Sequence, residues 1–347
     1  KGGPALALSL MKVLRQEMPD AQFVFSVPPE PEFQFEKQWA ERYGVNVVED
    51  SWDGGWESFT PWRILKEGLA TANRRFKRLR HWHQAMRDSD VVLDMTAISY
   101  VGPPEGSEEH GLNIRHRYFR AARREGKVFR AWTQSYGPFS TPALVKAGRE
   151  DLSSLPCVYC RGQESLNHVR ALLPGQECRS YPDVALVLDH DPQRGLEMMI
   201  KAFGRAPDRR VVTFSPSSVQ YSKAGPEVLE DYVKKRAVMA ERLLAQGFAV
   251  LFVPHALRPL QHVPWLCDMA VSLAIHARIR PDPWVAVLTE DHSAVDLKSV
   301  ISCADVHVGS RYHSVVAALS TGVPAVSVSW HHKYADIMDI YQQSKYV

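Results

Sequence analysis

The chain has 347 residues, enough for about two domains, and its 45% hydrophobic and 23% charged content is ordinary for a globular protein. A formal net charge of +3 is too small by itself to indicate nucleic-acid binding, and no apolar run of ~18 residues predicts a membrane-spanning helix. Five cysteines argue against a disulfide framework, and we interpret the closely spaced Cys157 and Cys160 as core residues.

The first half of the chain loosely alternates strand and helix signals. Runs rich in β-branched and aromatic residues predict five strands in this half. They are Ala21–Val27, Val45–Val48, Asp90–Met95, Val128–Trp132 and Cys157–Cys160. The Trp- and Gly-rich loop Ser51–Trp62 could line an acceptor site or serve only surface packing.

Two predicted helices of this half are strongly basic. Asn73–Arg87 has an apolar stripe with its cations on the other face, and Arg115–Arg130 is a second basic segment. Such helices could attract an anionic acceptor or an anionic membrane surface. A solvated helix face is the other interpretation, and the sequence leaves both open.

Polar residues follow two later strands of this half. Ser135 lies in the predicted loop Thr133–Ser140, directly after the strand Val128–Trp132, where ligands gather in open α/β sheets, so it is a candidate lining residue. Arg161 ends the next predicted strand. It could bind an anion or pair with Glu164, and its position favours neither.

The second half alternates strand and helix almost without exception. This pattern predicts a parallel sheet with right-handed crossovers. The polar, Pro- and Gly-bearing stretch His190–Asp208 is the best candidate for a boundary between two α/β domains. We therefore expect an α/β fold of two Rossmann-like domains.

The stretch Ala304–Lys333 predicts a strand, a tight turn, a helix over Tyr312–Ser320 and a further strand. The turn places Ser310, Arg311 and His313 at a helix N-terminus, where backbone N–H groups and the helix dipole favour an anion. The planar guanidinium of Arg311 suits a carboxylate or phosphate. His313 can exchange a proton near neutral pH.

Two further polar residues follow strands of the same predicted sheet, namely His255 and Lys333. Because the carboxyl ends of parallel strands meet at one edge, we expect both to lie near Arg311 and to share one anionic ligand. The sequence has no GxxxxGK[ST] loop, GxGxxG fingerprint, GxSxG elbow or HExxH spacing. Phosphate-loop, dinucleotide, hydrolase and metal sites therefore have no motif support.

The stretch GSRYHSVVAALSTGVPAVSVSWHHK resembles the hallmark of the polysaccharide pyruvyl transferase family. The matching positions are Gly309, Arg311, His313, Ala317 or Ala318, Gly322-Val323-Pro324, Trp330 and Lys333. Upstream, TQSYGPF, CVYCRGQESLNHV and YPDVALVL are similar to further family segments in the family's order. The resemblance covers about Asp90–Lys333, although Asp94-Met95-Thr96-Ala97 stands where the family commonly has a glycine pair.

The resemblance implies a two-domain fold similar to GT-B glycosyltransferases, with the domains facing across a cleft. Residues 1–189 would form the acceptor-side domain and 209–330 the donor-binding domain, while 331–347 could return to the first. The implied activity is transfer of a pyruvyl ketal from phosphoenolpyruvate to a sugar hydroxyl. The acceptor would be a polysaccharide, a glycan or a lipid-linked saccharide, as in cell-wall or exopolysaccharide synthesis.

The resemblance also implies roles for individual residues. Arg311 would bind the donor anion, and His313 would be the general acid. Cations at the same site would neutralise the departing phosphate. The remaining substrate-binding candidates are Arg161, Ser135, His255, Ser310 and Lys333.

The resemblance implies no metal, no organic cofactor and no nucleic-acid partner. A phosphoenolpyruvate donor implies a cytoplasmic location, with peripheral contact at an anionic inner membrane face where the acceptor is lipid-linked. One alternative is a GT-B glycosyltransferase that uses a nucleotide sugar, with Asp336 or Asp339 as the late carboxylate for the ribose. The other is a non-catalytic protein that binds a glycan or a membrane surface.

Overall fold

A computed structural model describes residues 2–27, 37, 40–49, 68–96, 98–100, 118–220, 226–257, 267–329 and 331–347. The loop Ser51–Trp62 and Trp330 of the family-like stretch lie outside these described residues. Over the described ranges, no helix combines the length and apolar character needed to cross a lipid bilayer.

The regular elements follow one another as expected for an α/β protein. The described strands are β1 (Val24–Val27), β2 (Asn46–Glu49), β3 (Val91–Asp94), β4 (Ile98–Ser99), β5 (Val128–Ala131), β6 (Ser135–Tyr136), β7 (Val158–Arg161), β8 (Cys178–Tyr181), β9 (Val211–Ser215), β10 (Ala249–Phe252), β11 (Val285–Val287), β12 (Val306–Gly309) and β13 (Ala325–Ser327). The described helices are α1 (Gly2–Glu17), α2 (Leu69–Asp88), α3 (Pro142–Leu152), α4 (Gln163–Leu172), α5 (Pro192–Phe203), α6 (Pro226–Ala245), α7 (Asp268–His276), α8 (Ala294–Ser302), α9 (Tyr312–Ser320) and α10 (Lys333–Ile340). Residues 118–124 are also helical.

Contacts divide the chain into two compact units. The first unit consists of Lys1–Lys12, Arg161–Glu164 and Pro182–Val347. The second consists of Val13–Cys160 and Ser165–Tyr181. The domain limits expected from the sequence, 1–189, 209–330 and 331–347, remain predictions.

The first unit contains a five-stranded sheet in the order β11-β10-β9-β12-β13, and each pair of neighbours is parallel. β9 and β10 are buried along their whole length, which explains their continuous apolar sequence. Because the strands are parallel, the residues that follow β9, β10 and β12 meet at one edge of the sheet. This confirms the parallel sheet predicted for the second half of the chain.

The stretch His190–Asp208 is not only a polar connection, because most of it forms α5. The Asp191 carboxylate accepts a hydrogen bond from the Arg194 N–H over 3.2 Å and caps this helix. Gly195 allows α5 to approach α8 closely, since a Cβ at this position would lie 2.1 Å from the Ser299 carbonyl oxygen. Polar residues at the helix ends had hidden its buried face from the sequence pattern.

The second unit is built from smaller parallel pairs, β1 with β2, β3 with β5 and β4 with β6. One apolar core of this unit lies under α3 and α4, around Tyr136, Phe139, Leu152, Val158 and Val169. A separate cluster joins α2 to the helical residues 118–124. The less regular alternation in this half of the sequence thus corresponds to short strand pairs in the described residues.

Candidate functional site

The predicted corner between a strand and a helix is present in the first unit. β12 leads through Ser310 into α9, whose N-cap residue is Arg311 and whose bounds are those predicted from the sequence. The Ser310 N–H donates to the Ser215 carbonyl oxygen over 2.9 Å, and its own carbonyl accepts from the Tyr334 hydroxyl over 2.7 Å. These two bonds fix the turn against β9 and α10.

Arg311 is held by a buried carboxylate that the sequence did not suggest. Its Nε donates to Asp268 Oδ2 over 2.8 Å and its Nη2 to Asp268 Oδ1 over 2.5 Å, while Nη2 also donates to the Ser218 hydroxyl over 3.1 Å. Asp268 is fully buried and also accepts from the N–H groups of Ser218 (2.9 Å) and Ala256 (2.7 Å). One carboxylate therefore joins the loops after β9, β10 and β12 at the start of α7.

Arg161 and Asp183 form a second buried ion pair in this unit. Arg161 Nη1 lies 2.5 Å from Asp183 Oδ2, and both side chains are almost completely buried. The Arg161 guanidinium also lies over the Tyr312 ring, 4.5 Å from its centroid. Burial acts to raise the pKa of Asp183, but Arg161 and His313 outweigh it and hold that pKa below its usual value.

His313 lies beside this ion pair with 18% of its side chain exposed. Its Nε2 is 3.8 Å from Asp183 Oδ2 and has no hydrogen-bond partner among the residues that the structure describes. Burial lowers the pKa of His313 to about 3, so the imidazole is neutral at neutral pH. The helix start at Gly2 faces the other ring nitrogen, because a Cβ there would lie 2.4 Å from His313 Nδ1.

Lys333 begins α10 and is 6% exposed. Its Nζ lies 5.5 Å from the ring centroids of Tyr312 and Tyr334. Burial, with the positive charges of Arg161 and Arg311, lowers the pKa of Lys333 to about 7. This residue is therefore the basic group of the site whose charge changes in the neutral pH range.

His255 lies after β10 and is 5% exposed. Its Nδ1 is 3.2 Å from the hydroxyl of Ser215, which donates to the Val253 carbonyl over 2.8 Å. Burial lowers the pKa of His255 well below the usual histidine value. His255, Lys298 and His313 line a small cavity of the first unit among apolar side chains.

A third histidine, His307 in β12, lies beneath the corner and was not predicted. Its Nδ1 is 3.0 Å from the Thr213 hydroxyl, and its Nε2 is 2.9 Å from the Ser314 hydroxyl. Burial lowers the pKa of His307 to about 3, so it connects β9 to the first turn of α9 as a neutral ring. His307 thus supports the position of the corner.

Asp336, one of the two carboxylates named for the nucleotide-sugar alternative, contacts the segment that carries Arg161. Its Oδ1 accepts from the Glu164 N–H over 3.0 Å and caps the start of α4. A Cβ at Gly162 would lie 2.3 Å from the Asp336 Cγ, so the two chain segments are in close contact. Burial raises the pKa of Asp336.

The predicted site residues thus fall into two groups. Ser135 belongs to the second unit, where it is completely buried in β6 and aligned with Ile98. The other six lie in the first unit: Arg161, His255, Ser310, Arg311, His313 and Lys333. Asp183, Asp268, Tyr312 and Gly2 complete their surroundings, and an acid at the edge of an apolar run was the signal available for Asp183 and Asp268.

The charges of this cluster are nearly balanced. Arg161, Arg311 and Lys333 lie among the carboxylates Asp183, Asp268 and Asp336. An anion would therefore meet the amide end of α9 and favour the protonated forms of Lys333 and His313. In the described part of the chain, no group of three or more His, Cys, Asp or Glu residues is placed to hold a metal ion.

Comparison with known proteins identifies one family model and several structures with a similar fold. The model described as polysaccharide pyruvyl transferase matches residues 2–332. No curated protein matches the chain.

Two solved structures illustrate the likeness in fold. One is a protein from Listeria monocytogenes described as a UDP-N-acetylglucosamine 2-epimerase, with 11% identity, a TM-score of 0.56 and coverage of 96% of this chain and 78% of that chain. The other is S. aureus MnaA in a co-structure with UDP, with 11% identity, a TM-score of 0.51 and coverage of 94% and 87%. At such identities the likeness concerns the fold alone, and it confirms the α/β, GT-B-like class.

Proposed function

The chain belongs to the polysaccharide pyruvyl transferase family and is a transferase, and we propose that its donor is phosphoenolpyruvate. The acceptor is a sugar hydroxyl of a polysaccharide, a glycan or a lipid-linked saccharide, and the product is a pyruvate ketal. The observation that carries this proposal is the convergence of Arg161, Arg311, His313 and Lys333 around the start of α9.

The donor carries a carboxylate and a phosphate, and the cluster offers groups suited to both. Arg311 is positioned at the α9 N-terminus, so its guanidinium and the first backbone N–H groups can bind one anionic group. Lys333 and Arg161 then neutralise the phosphate as it departs. Ser310 and His255 line the same corner, while a role for Ser135 belongs to the acceptor side.

One proton is taken up at the methylene carbon of the donor and two are released by the sugar hydroxyls; one of these restores the general acid, and the other protonates the departing phosphate. A proton is added to the methylene carbon of the donor, and a sugar hydroxyl attacks the neighbouring carbon and loses its own proton. The bond from that carbon to the phosphate oxygen then breaks, and phosphate leaves with its electron pair. A second hydroxyl of the sugar attacks the resulting oxocarbenium centre, loses its proton and closes the ketal.

We propose His313 as the general acid for the first step. Its pKa of about 3 means that it needs the donor's negative charges to become protonated, since nearby anions raise the pKa of a buried base. Lys333, with a pKa of about 7, is a nearby proton source for it. General acid catalysis by a positioned side chain is worth about 10²–10⁴-fold in rate.

The chemistry requires no metal and no organic cofactor. Because phosphoenolpyruvate is a cytoplasmic metabolite, we propose that the active site faces the cytoplasm. The products fit a step in the synthesis of cell-surface polysaccharide.

The proposal is tested by measuring phosphate release from phosphoenolpyruvate with a panel of sugar acceptors. We expect Arg311→Ala to raise KM for the donor by about tenfold or more, because a charged contact to the anion is lost. His313→Ala should instead lower kcat by about 10²-fold or more, because the acid is lost.

Exposed residues of the same types provide matched controls for these variants. Arg242→Ala and His190→Ala change exposed side chains of the first unit and should leave both kinetic constants unchanged. Thermal stabilisation by UDP-sugars, with none by phosphoenolpyruvate, would rule the donor out. The two carboxylates named for that alternative accept hydrogen bonds within the chain, Asp336 from the Glu164 N–H and Asp339 from the Ser344 hydroxyl.

A further inference from the structure

The second unit carries a helix with a one-sided charge. α2 is 20 residues long and contains six lysine or arginine residues but one acidic residue, Asp88. α6 has the same length and contains four basic and four acidic residues. The excess of positive charge is therefore particular to α2 and is not a general feature of long helices in this protein.

Part of this charge is used within the fold and part faces outward. Arg75 is buried, and Arg78 pairs with Glu49 at 3.0 Å. Lys77 and Arg80, in contrast, have exposed side chains. Within the described part of the second unit, neither of these two side chains has a hydrogen bond or an ion pair.

Exposed apolar side chains accompany the outward cations. Leu69 is 80% exposed and Phe76 is 44% exposed. Leu69, Phe76, Arg80 and Arg87 are separated by seven, four and seven residues, which places them within about 40° of one another around the helix. One stripe of α2 thus combines two apolar side chains with two arginines.

The helical residues 118–124 extend this positive surface. They pack on α2 through Tyr118, whose ring centroid lies 5.4 Å from that of Trp82. Arg87 of α2 lies 3.6 Å from Glu125, just past this segment. The exposed cations of the segment are Arg120, Arg123 and Arg124.

The exposed side chains of α2 and of residues 118–124 together form a surface that we call the basic face. Its members are Leu69, Phe76, Lys77, Arg80, Arg87, Arg120, Arg123 and Arg124. We propose that the basic face binds the anionic phospholipid surface of a membrane. Lysine and arginine are attracted electrostatically to an anionic lipid surface, which stabilises the bound state. Exposed Leu and Phe side chains can enter the boundary between headgroups and acyl chains.

The apolar members of the basic face favour a membrane over a nucleic acid. A phosphate backbone would use the cations but offers no apolar layer for Leu69, whereas a lipid surface uses both kinds of side chain. The net charge of +3 for the whole chain also argues against a general polyanion binder. The inference does not depend on the identity of the donor.

Vesicle co-sedimentation tests the proposal with the complete chain. We expect binding to phosphatidylcholine vesicles that contain ~30% phosphatidylglycerol, weak binding to phosphatidylcholine alone, and release when the salt concentration is raised from ~0.1 M to ~0.5 M. The variant Lys77→Glu/Arg80→Glu should weaken binding to the anionic vesicles by about tenfold or more. Phe76→Ser should weaken it at unchanged charge.

The matched control reverses the same charge elsewhere in the second unit. Lys146→Glu/Arg149→Glu changes exposed residues of α3 and should retain most of the binding. All variants should have the same melting temperature as the parent protein. Equal losses in both double variants, equal binding to both vesicle types, or preferential binding to double-stranded DNA over anionic vesicles would each overturn the proposal.

Discussion

Asp268 determines how Arg311 can meet a ligand. The carboxylate binds Nε and Nη2 along one edge of the guanidinium, so Nη1 is the nitrogen that no described residue binds. On the proposed function, the donor anion would approach the guanidinium from its Nη1 end and meet the backbone N–H groups at the start of α9. The geometry makes Asp268 a positioning residue for Arg311.

We predict that Asp268→Asn raises KM for phosphoenolpyruvate by about tenfold or more while changing kcat less. The side-chain amide of asparagine cannot accept both guanidinium bonds, so Arg311 loses its fixed orientation. Kinetics of phosphate release, with a melting curve for each variant, provide the measurement.

A double-mutant cycle separates positioning from general damage. In the Arg311→Ala background, Asp268→Asn should add little further loss in KM, because the residue through which it acts is gone. Losses that add fully in the double variant would contradict the positioning role.

Lys333 is a buried amine, and its burial should cost stability at neutral pH. Its pKa is about 7 in the folded chain, whereas an unfolded lysine keeps its proton until about pH 10.4. Between these values the unfolded state binds more protons, so this residue makes the free energy of unfolding rise with pH. The cost is present in full below pH 7 and disappears toward pH 10.

We predict that Lys333→Met is more stable than the parent protein by a few kcal/mol at pH 7, on the order set by the shift in pKa. The difference in free energy of unfolding between the two proteins should shrink as the pH is raised to 10, because Lys333 loses its proton in both the folded and the unfolded state. Both proteins share every other titratable group. Urea unfolding at several pH values measures this difference. A gap that stays constant from pH 7 to 10 would show that burial does not shift the pKa of Lys333.

At the scale of elements, the junction between β7 and α4 positions Arg161. Gly162 has φ +96°, in the left-handed region, and a Cβ there would collide with Asp336. The Glu164 N–H is bonded to the same carboxylate. Arg161 is therefore held from both sides, by Asp183 and by a turn that needs glycine.

We predict that Gly162→Ala lowers the free energy of unfolding by about 2 kcal/mol or more, through backbone strain and the clash with Asp336. Gly204→Ala is the matched control, since Gly204 has φ +72° but nothing within 4 Å of its Cβ position. The free energy of unfolding of this control should fall by only about 1 kcal/mol, because only backbone strain is introduced. If urea unfolding shows the same loss of stability in both variants, the clash with Asp336 does not destabilise the protein.

At the scale of the whole molecule, the candidate site is assembled within one compact unit from distant parts of the chain. The described residues that contribute to it include 161–164, 182–183, 255–256, Asp268, 310–313 and 333–336. The basic face belongs to the other unit and uses none of these segments.

The sequence by itself determined the parallel α/β organisation of the second half and the corner at α9. Continuous apolar strands, the helix over Tyr312–Ser320 and the cations after strand ends are local signals, because they depend on periodicity and on neighbouring residues. The start of α8 is local in the same way, since Ser293 forms a capping box with Asp296 three residues later. The resemblance of Gly309–Lys333 to the family pattern led to the expectation that phosphoenolpyruvate is the donor.

Tertiary structure alone decided how the charges are paired. Arg311 finds Asp268 43 residues earlier in the chain, and Arg161 finds Asp183 22 residues later. No local sequence pattern predicts pairs separated by this many residues, since the fold decides which loops come together. Burial decided the rest, because it lowers the pKa of His313 to about 3 and the pKa of Lys333 to about 7. The sequence could not show these shifts, since it contains no information on solvent exposure at the site.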